Sequence, residues 1–549
     1  MTTCREDLAR CRELLAHRGP DMMTELETSL VSGHSLVMAS SVLWLQGETM
    51  TKQPVTDQAG NILLWNGDIF DIDQEDGVDH NNSESDTCLL SRLLARCITP
   101  ADVMSRVHGP WSMVYYHSQS NTVWMGRDFF GRQSLLISRS DGSLRLSSCA
   151  INAMGDYREL PAYGLYKCEL SSDGTIGNLT LYPWKGLIDV IDINILDTFS
   201  CDISSDFLPS PVITYSKVIL EEFQHPVEDK DVFSQLLTQP VILNYVERLD
   251  DVLREAVLTR VRHQPDICKD CVMRPSQECP HAAVGVLFSG GLDSCVLACL
   301  TAALIPQEKP LHLYNVAFQQ SNGEYDVPDR LTGIQAYNEI KLLYPEKNIS
   351  LILVNVTLSE LQTERAGRVR HLLHPLDTVL DDSIGCAVWF AARGRGVDSE
   401  TGREVESRAR VLILGMGIDE QLGGYSRHRT SHARQGWPGL ASELGRELVS
   451  ISVRNLGRDN RIVSDHGVAP RFPFLDEKFV NFLGTVPINL KCDFQYDRGI
   501  GEKLILRLLA YKLGLKLTSR EPKRAVQFGS RIAKMENRRE KGNHKAIRC

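Results

Sequence analysis

The sequence predicts a two-part protein of α/β and α+β class: a β-rich N-terminal half with helices outside its sheets, and a parallel-sheet C-terminal half. Three observations predict it. Short alternating apolar runs separated by turn signals recur through residues 1–185. Strand-like apolar runs then alternate with helical spacing from Val284 onward. Finally, the apolar run 284–288 leads into Ser289-Gly290-Gly291-Leu292-Asp293-Ser294 and then a small apolar stretch that reads as a buried helix.

The chain of 549 residues is too long for one core and should divide into two or three domains. Its 42% hydrophobic and 24% charged residues are ordinary for a globular protein, and a net charge of −10 argues against nucleic acid as its main partner. No apolar run approaches membrane-spanning length, and Met1-Thr2-Thr3-Cys4-Arg5-Glu6-Asp7 lacks the apolar core of a signal peptide. An odd count of 15 cysteines is no disulfide framework. Mostly reduced thiols in a cytoplasmic protein, with neither membrane nor nucleic acid as partner, are the expectation.

In the first 185 residues the runs Ser35–Met38, Ile62–Trp65, Trp111–Tyr116 and Thr122–Met125 read as strands, with Asn66-Gly67 and Asp141-Gly142 as turns. Helical stretches are expected near Glu6–His17 and Thr87–Cys97. Residues 186–245, where Asp189, Asp192, Asp197, Asp202 and Asp206 sit among serines and prolines, read as a linker or insertion. Residues 246–535 form the second domain. It opens on a helix that puts Val246, Leu249, Val252, Leu253, Ala256, Val257 and Val261 on one face.

Next come Cys268, Cys271, Cys279 and His281, enough for a tetrahedral zinc site, although the spacing fits no familiar finger and a cysteine-bearing loop is the plainer reading. Strands are then expected at 284–288, 311–318, 350–356 and 410–415, and helices at 294–304, 331–343 and 383–393. Residues 430–530 read as mainly helical, and 536–549 as a charged tail.

The run 289–294 carries the chemistry. A strand, a tight glycine turn and a helix start make an anion site, because free backbone N–H groups and the helix dipole point into the turn. Gly290 and Gly291 admit close approach, Ser289 and Ser294 carry hydroxyl donors, and Asp293 is the expected magnesium ligand. No Lys-Ser/Thr pair follows, so this is not the common P-loop. Ser-Gly-Gly-x-Asp-Ser resembles instead the PP-loop of ATP pyrophosphatases, which implies adenylation of a substrate. The strand Arg410–Leu414 ends in Gly415-Met416-Gly417-Ile418-Asp419-Glu420, and carboxyl ends of parallel strands share one crevice. Asp419 should therefore join Asp293 on one magnesium, with Lys503 and the pair Lys523-Arg524 as cationic partners for phosphate.

Five ordered motifs, Ser289–Ser294, Gly415–Tyr425, Arg471–Asp476, Glu502-Lys503-x3-Arg507 and Pro522-Lys523-Arg524-x2-Gln527, resemble those of glutamine-dependent asparagine synthetases. In the first half, Arg18–Asp21, Asn66–Phe70, Ser85–Thr87 and Arg127–Arg132 resemble the glutaminase domain of those enzymes. The likeness implies an N-terminal Ntn-hydrolase-like αββα glutamine amidotransferase domain and a C-terminal synthetase domain of adenine nucleotide alpha hydrolase-like fold. It implies Asp293, Asp419 and Lys503 as catalytic residues. ATP contacts would come from Phe288, Ser289, Gly290, Gly291, Asp293, Ser294, Val316, Gly415, Met416 and Lys523. Asn66 and Gly67 would form an oxyanion hole, while Asp68 and Asp86 would hold the α-amino end of glutamine.

Three departures accompany the likeness. The family nucleophile is a cysteine freed at position one by Met removal, whereas residue two here is Thr2, and Cys4 has no free amine of its own. The segment before Arg18 also looks short, as though a first strand were absent; either the sequence starts late or glutamine is not hydrolysed. The family arginine for the carboxylate of glutamine has no counterpart in Ser40–Leu45, where Val42 cannot replace it. Met416 stands where synthetases carry a glutamate, and a thioether neither accepts a proton nor pairs with an ammonium. Two readings result. One is an ATP- and Mg2+-dependent amide ligase acting on a small amino-acid carboxylate, with glutamine or ammonia as nitrogen source. The other is a nucleotide-binding pseudoenzyme whose N-terminal half is an interaction surface.

Overall fold

The computed structural model describes residues 2–535 apart from 31–32, 74–83, 141, 152–153, 155, 173–174, 213–217, 221–230, 266 and 273–278. The tail expected at 536–549, and the side chains of Thr2 and Cys4, lie outside the described residues.

The N-terminal half is built on a seven-stranded sheet in the spatial order Cys201–Ile203, Ile176–Pro183, Gly164–Leu170, Thr122–Arg127, Trp111–His117, Ile62–Gly67, Val55–Thr56. Its central members pair antiparallel, with Tyr115 opposite Trp124 and Trp65 opposite Met113. Such aromatic pairs pack well on a pleated surface. A separate hairpin, Met22–Ser29 with Ser35–Val42, faces the helix Thr2–Arg18. That helix sends Cys11, Leu14 and Leu15 into the core. The second expected helix is Asp86–Leu94, started where the Ser85 hydroxyl accepts from the Cys88 amide at 3.3 Å.

Asn66-Gly67, read from the sequence as a turn, instead ends the strand Ile62–Gly67, opposite Ser112 and Trp111. The glycine is required by closeness: a Cβ at Gly67 would lie 2.3 Å from the Pro110 carbonyl oxygen. Beyond residue 185, Cys201–Ile203 pairs parallel with Ile176–Pro183 as an edge strand, and Asp192 caps the short helix Ile193–Asp197.

The C-terminal half has a second seven-stranded sheet. Its parallel part runs Ile349–Val356, Leu311–Phe318, Val284–Leu287, Val411–Ile413, Ala469–Arg471. The chain winds one way from Val284–Leu287 and then returns to its other side, so the strand order reverses between Val284–Leu287 and Val411–Ile413. Open sheets present their ligand crevice at such a reversal. The apolar face of the helix Pro240–Arg262 covers this sheet as expected, with Val246, Leu249, Leu253, Ala256, Val257 and Val261 buried. Two features differ from the expected alternation. Arg395–Asp398 and Glu404–Glu406 extend the sheet antiparallel, and Ala469–Arg471 is a strand inside the stretch expected to be helical. The first pair is short and mostly polar, the second only three residues long; neither carries a readable apolar period.

The two halves are joined by buried arginines. Arg132 donates to Asp128 at 2.9 Å and the Gly109 carbonyl at 2.5 Å on its own side, and to the Leu475 carbonyl at 2.7 Å and Glu477 across the boundary. Arg410 reaches back to Asp21 and the Trp44 carbonyl, and Arg461 to Ser134 and Glu159. Among the described residues the cysteines are free thiols, and no helix is long and apolar enough to cross a membrane. Breaking one partner of a buried ion pair strands the other charge. Arg132→Ala should therefore lower stability by about 3–5 kcal/mol, read as a lower thermal midpoint with faster proteolysis between the halves; an unchanged midpoint would remove this role.

Candidate functional site

The glycine turn is positioned from beneath. Gly290 has φ +80°, and a Cβ there would fall 2.3 Å from the backbone nitrogen of Gly333. The loop thus lies directly against the helix Pro328–Leu343, and only glycine meets both demands. Asn315 fixes that contact: its amide donates at 2.9 Å to the carbonyls of Phe288 and Asp329, and Arg330 donates to its oxygen at 2.8 Å. Within the turn, Ser289 Oγ accepts from the Gly291 amide at 3.3 Å, and Ser294 Oγ donates to the Gly291 carbonyl at 3.0 Å. The hydroxyl of Ser294 is therefore spent on the turn itself. Gly291 faces the other way, since a Cβ there would meet only Ser289 Oγ, at 3.3 Å.

Over this turn two carboxylates and two ammonium groups converge. Lys503 Nζ lies 2.8 and 2.7 Å from the Asp293 oxygens and 2.6 Å from Asp419 Oδ1. Lys523 Nζ lies 2.5 Å from Asp419 Oδ2 and 3.6 Å from Asp293 Oδ2. Lys503 adopts a left-handed backbone at φ 56°, entering the helix Leu504–Lys512, and its amide donates to the Leu422 carbonyl at 3.0 Å. A non-glycine residue in that region marks strain held by its surroundings. Burial works to raise the Asp419 pKa, but the ammonium groups of Lys503 and Lys523 outweigh it and hold the carboxyl well below the usual carboxylate range. Burial works to lower Lys523, and Asp419 and Asp293 together lift it above an ordinary lysine.

Ser289, Gly290, Gly291, Asp293, Lys503 and Lys523, read from the sequence, line one small cavity of about 40 Å3. Asp419 meets it through the two lysines, and Gly415 backs Asp293, where a Cβ would lie 3.3 Å from the aspartate Cβ. Phe288, Val316 and Met416 do not line this cavity; Phe288 and Val316 are buried in the core, and Met416 packs against it. The cavity also holds Asp329 and Thr332, which sequence reasoning missed. Their only signal was a place in the first turns of the helix packed under the loop. Burial pushes the Asp329 carboxyl up to about 7 against the pull of Arg524 and Lys523. Arg507 lines the cavity too, but its guanidinium is occupied by the carbonyls of Glu502, Ser519 and Glu521 and by the Glu502 carboxylate.

A larger cavity, about 640 Å3, lies in the N-terminal half, and Asn66, Gly67, Asp68 and Asp86 all line it, as does Val42. Asp68 is already engaged. Arg471, from the end of the C-terminal strand Ala469–Arg471, donates to its oxygens at 2.9 and 3.2 Å, and Gln46 donates at 3.0 Å. Arg471 also holds the carbonyls of Arg260 at 2.5 Å and His263 at 2.6 Å. Asp86 accepts from Trp65 Nε1 at 3.0 Å and the Thr87 amide at 2.8 Å. Burial, and Asp68 beside it, push the Asp86 carboxyl up to about 7.

Comparison with known proteins agrees with this division. Residues 1–162 match a glutamine amidotransferase domain, and residues 280–346 and 434–541 match asparagine synthase. The chain is 40% identical to asparagine synthetase domain-containing protein 1 of Gallus gallus, covering 97% of this chain and 95% of that one. It is 38% identical to the Homo sapiens protein of the same name, over 97% and 93%. Asparagine synthetase B (glutamine-hydrolyzing) of Escherichia coli is 25% identical over 41% of this chain and 37% of its own. With an amidotransferase domain and an asparagine synthase domain in this order, the chain belongs to the asparagine synthetase domain-containing protein 1 family.

Proposed function

We propose that the C-terminal half is an ATP-dependent amide ligase, and that the N-terminal half no longer hydrolyses glutamine. One observation carries the first part: Asp293, Asp419, Lys503 and Lys523 converge on a glycine turn at the reversal point of a parallel sheet. The donor set fits a triphosphate with its metal. Asp293 and Asp419 are hard oxygen ligands for Mg2+, which when bound neutralises the charge of departing pyrophosphate. The amides of the turn and the helix start at Leu292 receive phosphate oxygens, and Gly291 leaves the face open for them. Lys503 and Lys523 pair with the two aspartates, and they would be free to donate to phosphate oxygens were a metal ion to hold those carboxylates. A substrate carboxylate oxygen then attacks the α-phosphorus, and the bond to pyrophosphate breaks. Ammonia next attacks the acyl carbon of the adenylate, AMP leaves, and the extra proton passes to solvent. The E. coli relative is named an asparagine synthetase, so aspartate is the first acid to test. Met416 argues for a panel of other carboxylates beside it.

The second part rests on the occupied amidotransferase cavity. The carboxylate of Asp68 is already paired with Arg471, and burial with Asp68 beside it pushes the Asp86 carboxyl up to about 7, which weakens it as a partner for an α-ammonium group. Val42 adds an apolar wall where a substrate carboxylate needs a guanidinium. Ammonia from solution is then the nitrogen source. A nucleotide-binding pseudoenzyme is the competing reading, favoured by Lys503 bridging both candidate metal ligands. Pyrophosphate release from ATP with aspartate or other small acids plus ammonium decides between them. ATP binding without turnover across the panel favours the pseudoenzyme.

Asp293→Ala should cut magnesium-dependent pyrophosphate release on the order of 100-fold or more; retained turnover removes its metal role. Gly291→Val should fold yet lose ATP affinity, because its side chain projects into the cavity, whereas unchanged ATP affinity counts against the cradle. Glutamate release from glutamine should stay at background.

Asp86 supplies a pH test. Its folded pKa, about 7, lies above the unfolded value, so the native state holds the extra proton between about pH 4 and 7 and loses the associated stability as pH rises through that window. Relative to wild type, Asp86→Asn should therefore gain stability from about pH 4 to about pH 7 and level off above it, by up to ~4 kcal/mol in all. Denaturant unfolding at several pH values measures it, and a pH-independent difference contradicts the assignment.

A further inference from the structure

We propose that Cys268, Cys271, Cys279 and His281 form a closed Cys3His site for a structural zinc ion. Their ligand atoms all lie within 4.8 Å of one another. His281 Nδ1 lies 3.4 Å from the sulfur of Cys268, 3.6 Å from that of Cys271 and 3.7 Å from that of Cys279. A tetrahedral zinc with Zn–S of about 2.3 Å and Zn–N of about 2.0–2.1 Å requires sulfur-to-nitrogen edges of about 3.6 Å. The three distances fall on that value. Sequence proximity alone does not impose it, since Cys268 lies 11 positions from Cys279 and 13 from His281.

The surroundings are those of a metal knuckle. The Val272 amide closes a turn on the Cys268 carbonyl at 3.2 Å, bringing Cys268 and Cys271 to one side. The Cys268 amide donates to the Cys279 sulfur at 3.3 Å, the bond by which backbone N–H groups support a thiolate ligand. Cys268 and Cys279 are buried, Cys271 is half-buried and His281 faces solvent, which gives an ion a path in. Three thiolates and one imidazole on Zn2+ leave one net negative charge, and Lys309 sits against the site with its ammonium 2.6 Å from the Cys279 carbonyl. Four protein ligands leave no open position, so the ion has a structural role and no catalytic one.

Its place in the fold says what it holds. The Lys269 amide donates to the Arg408 carbonyl at 3.0 Å, and the Lys269 ammonium to the His466 carbonyl at 2.7 Å. The Ala283 carbonyl accepts from the amide of Arg410 at 3.0 Å. The knuckle therefore sits where Val284–Leu287 and Val411–Ile413 begin, at the end of the sheet opposite the glycine turn. A zinc ion there would pin the entry of the two strands between which the order reverses. This inference stands independently of the nucleotide reading.

The full chain, expressed with added zinc and purified without chelator, should carry about one zinc per molecule by elemental analysis. Exchange into Co2+ should give the intense visible d–d absorption of a tetrahedral thiolate site. Cys271→Ser should lose the zinc, and His281→Cys should keep about one ion with a shifted cobalt spectrum. Chelation of the wild-type chain should lower its thermal midpoint. Zinc below about a tenth of an ion per folded chain, full zinc retained by Cys271→Ser, or a disulfide among the three cysteines in freshly purified protein overturns the site. Should the serine variant fail to fold, the wild-type metal content and cobalt spectrum decide alone.

Discussion

The placement of the two halves depends on buried charge pairs across their boundary, and that of Arg471 with Asp68 ties the most parts together. Both side chains are almost fully removed from water, at 0% and 5% exposure. Such a pair is weak evidence for net stability, because desolvation offsets much of the attraction. Its value is positional. Arg471 leaves the last parallel strand, collects the carbonyls at the end of the helix Pro240–Arg262, and reaches Asp68 in the wall of the N-terminal cavity. One guanidinium thereby ties a strand end, a helix end and the floor of a pocket, and only one relative placement of the halves satisfies all its donors.

The same logic of charge on charge recurs at the glycine turn, with an opposite use. At Arg471 the donors are consumed by fixed acceptors. Around Asp293 the two acids and two lysines satisfy one another, and on the proposed function each partner would be exchanged for metal or phosphate. A balanced quartet can be taken apart by a ligand that offers better partners for both signs. The rigid parts, Gly290 on Gly333 and Asn315 beneath, keep the frame still while the charges trade.

Much of this was legible in the sequence where local pattern and chemistry coincide. The strand, turn and helix at 284–304 could be read because a buried parallel strand is a continuous apolar run and the glycines have a stated backbone duty. The helix Pro240–Arg262 was legible from its spacing, though its N-terminal turns were placed in a linker because Pro240 was not read as a first-turn residue. Legibility failed where the partner is distant. Arg471 lies 403 residues from Asp68, and nothing local marks either as the other's mate. Arg127–Arg132 resembled the glutaminase domain, as the family match bears out, but the pattern did not show that Arg127 and Arg132 fill their donors with nearby carbonyls and with Glu159 or Glu477. Gly67 misled for a different reason: glycine serves close approach as well as turning, and only the neighbouring strand reveals which.

The Arg471 anchor also couples the pocket to the framework. Emptying the space beside Asp68 means removing a guanidinium that also serves the carbonyls of Arg260 and His263. Such a substitution leaves those buried acceptors unpaired. A change that opens the N-terminal cavity therefore loosens the end of a C-terminal helix in the same stroke.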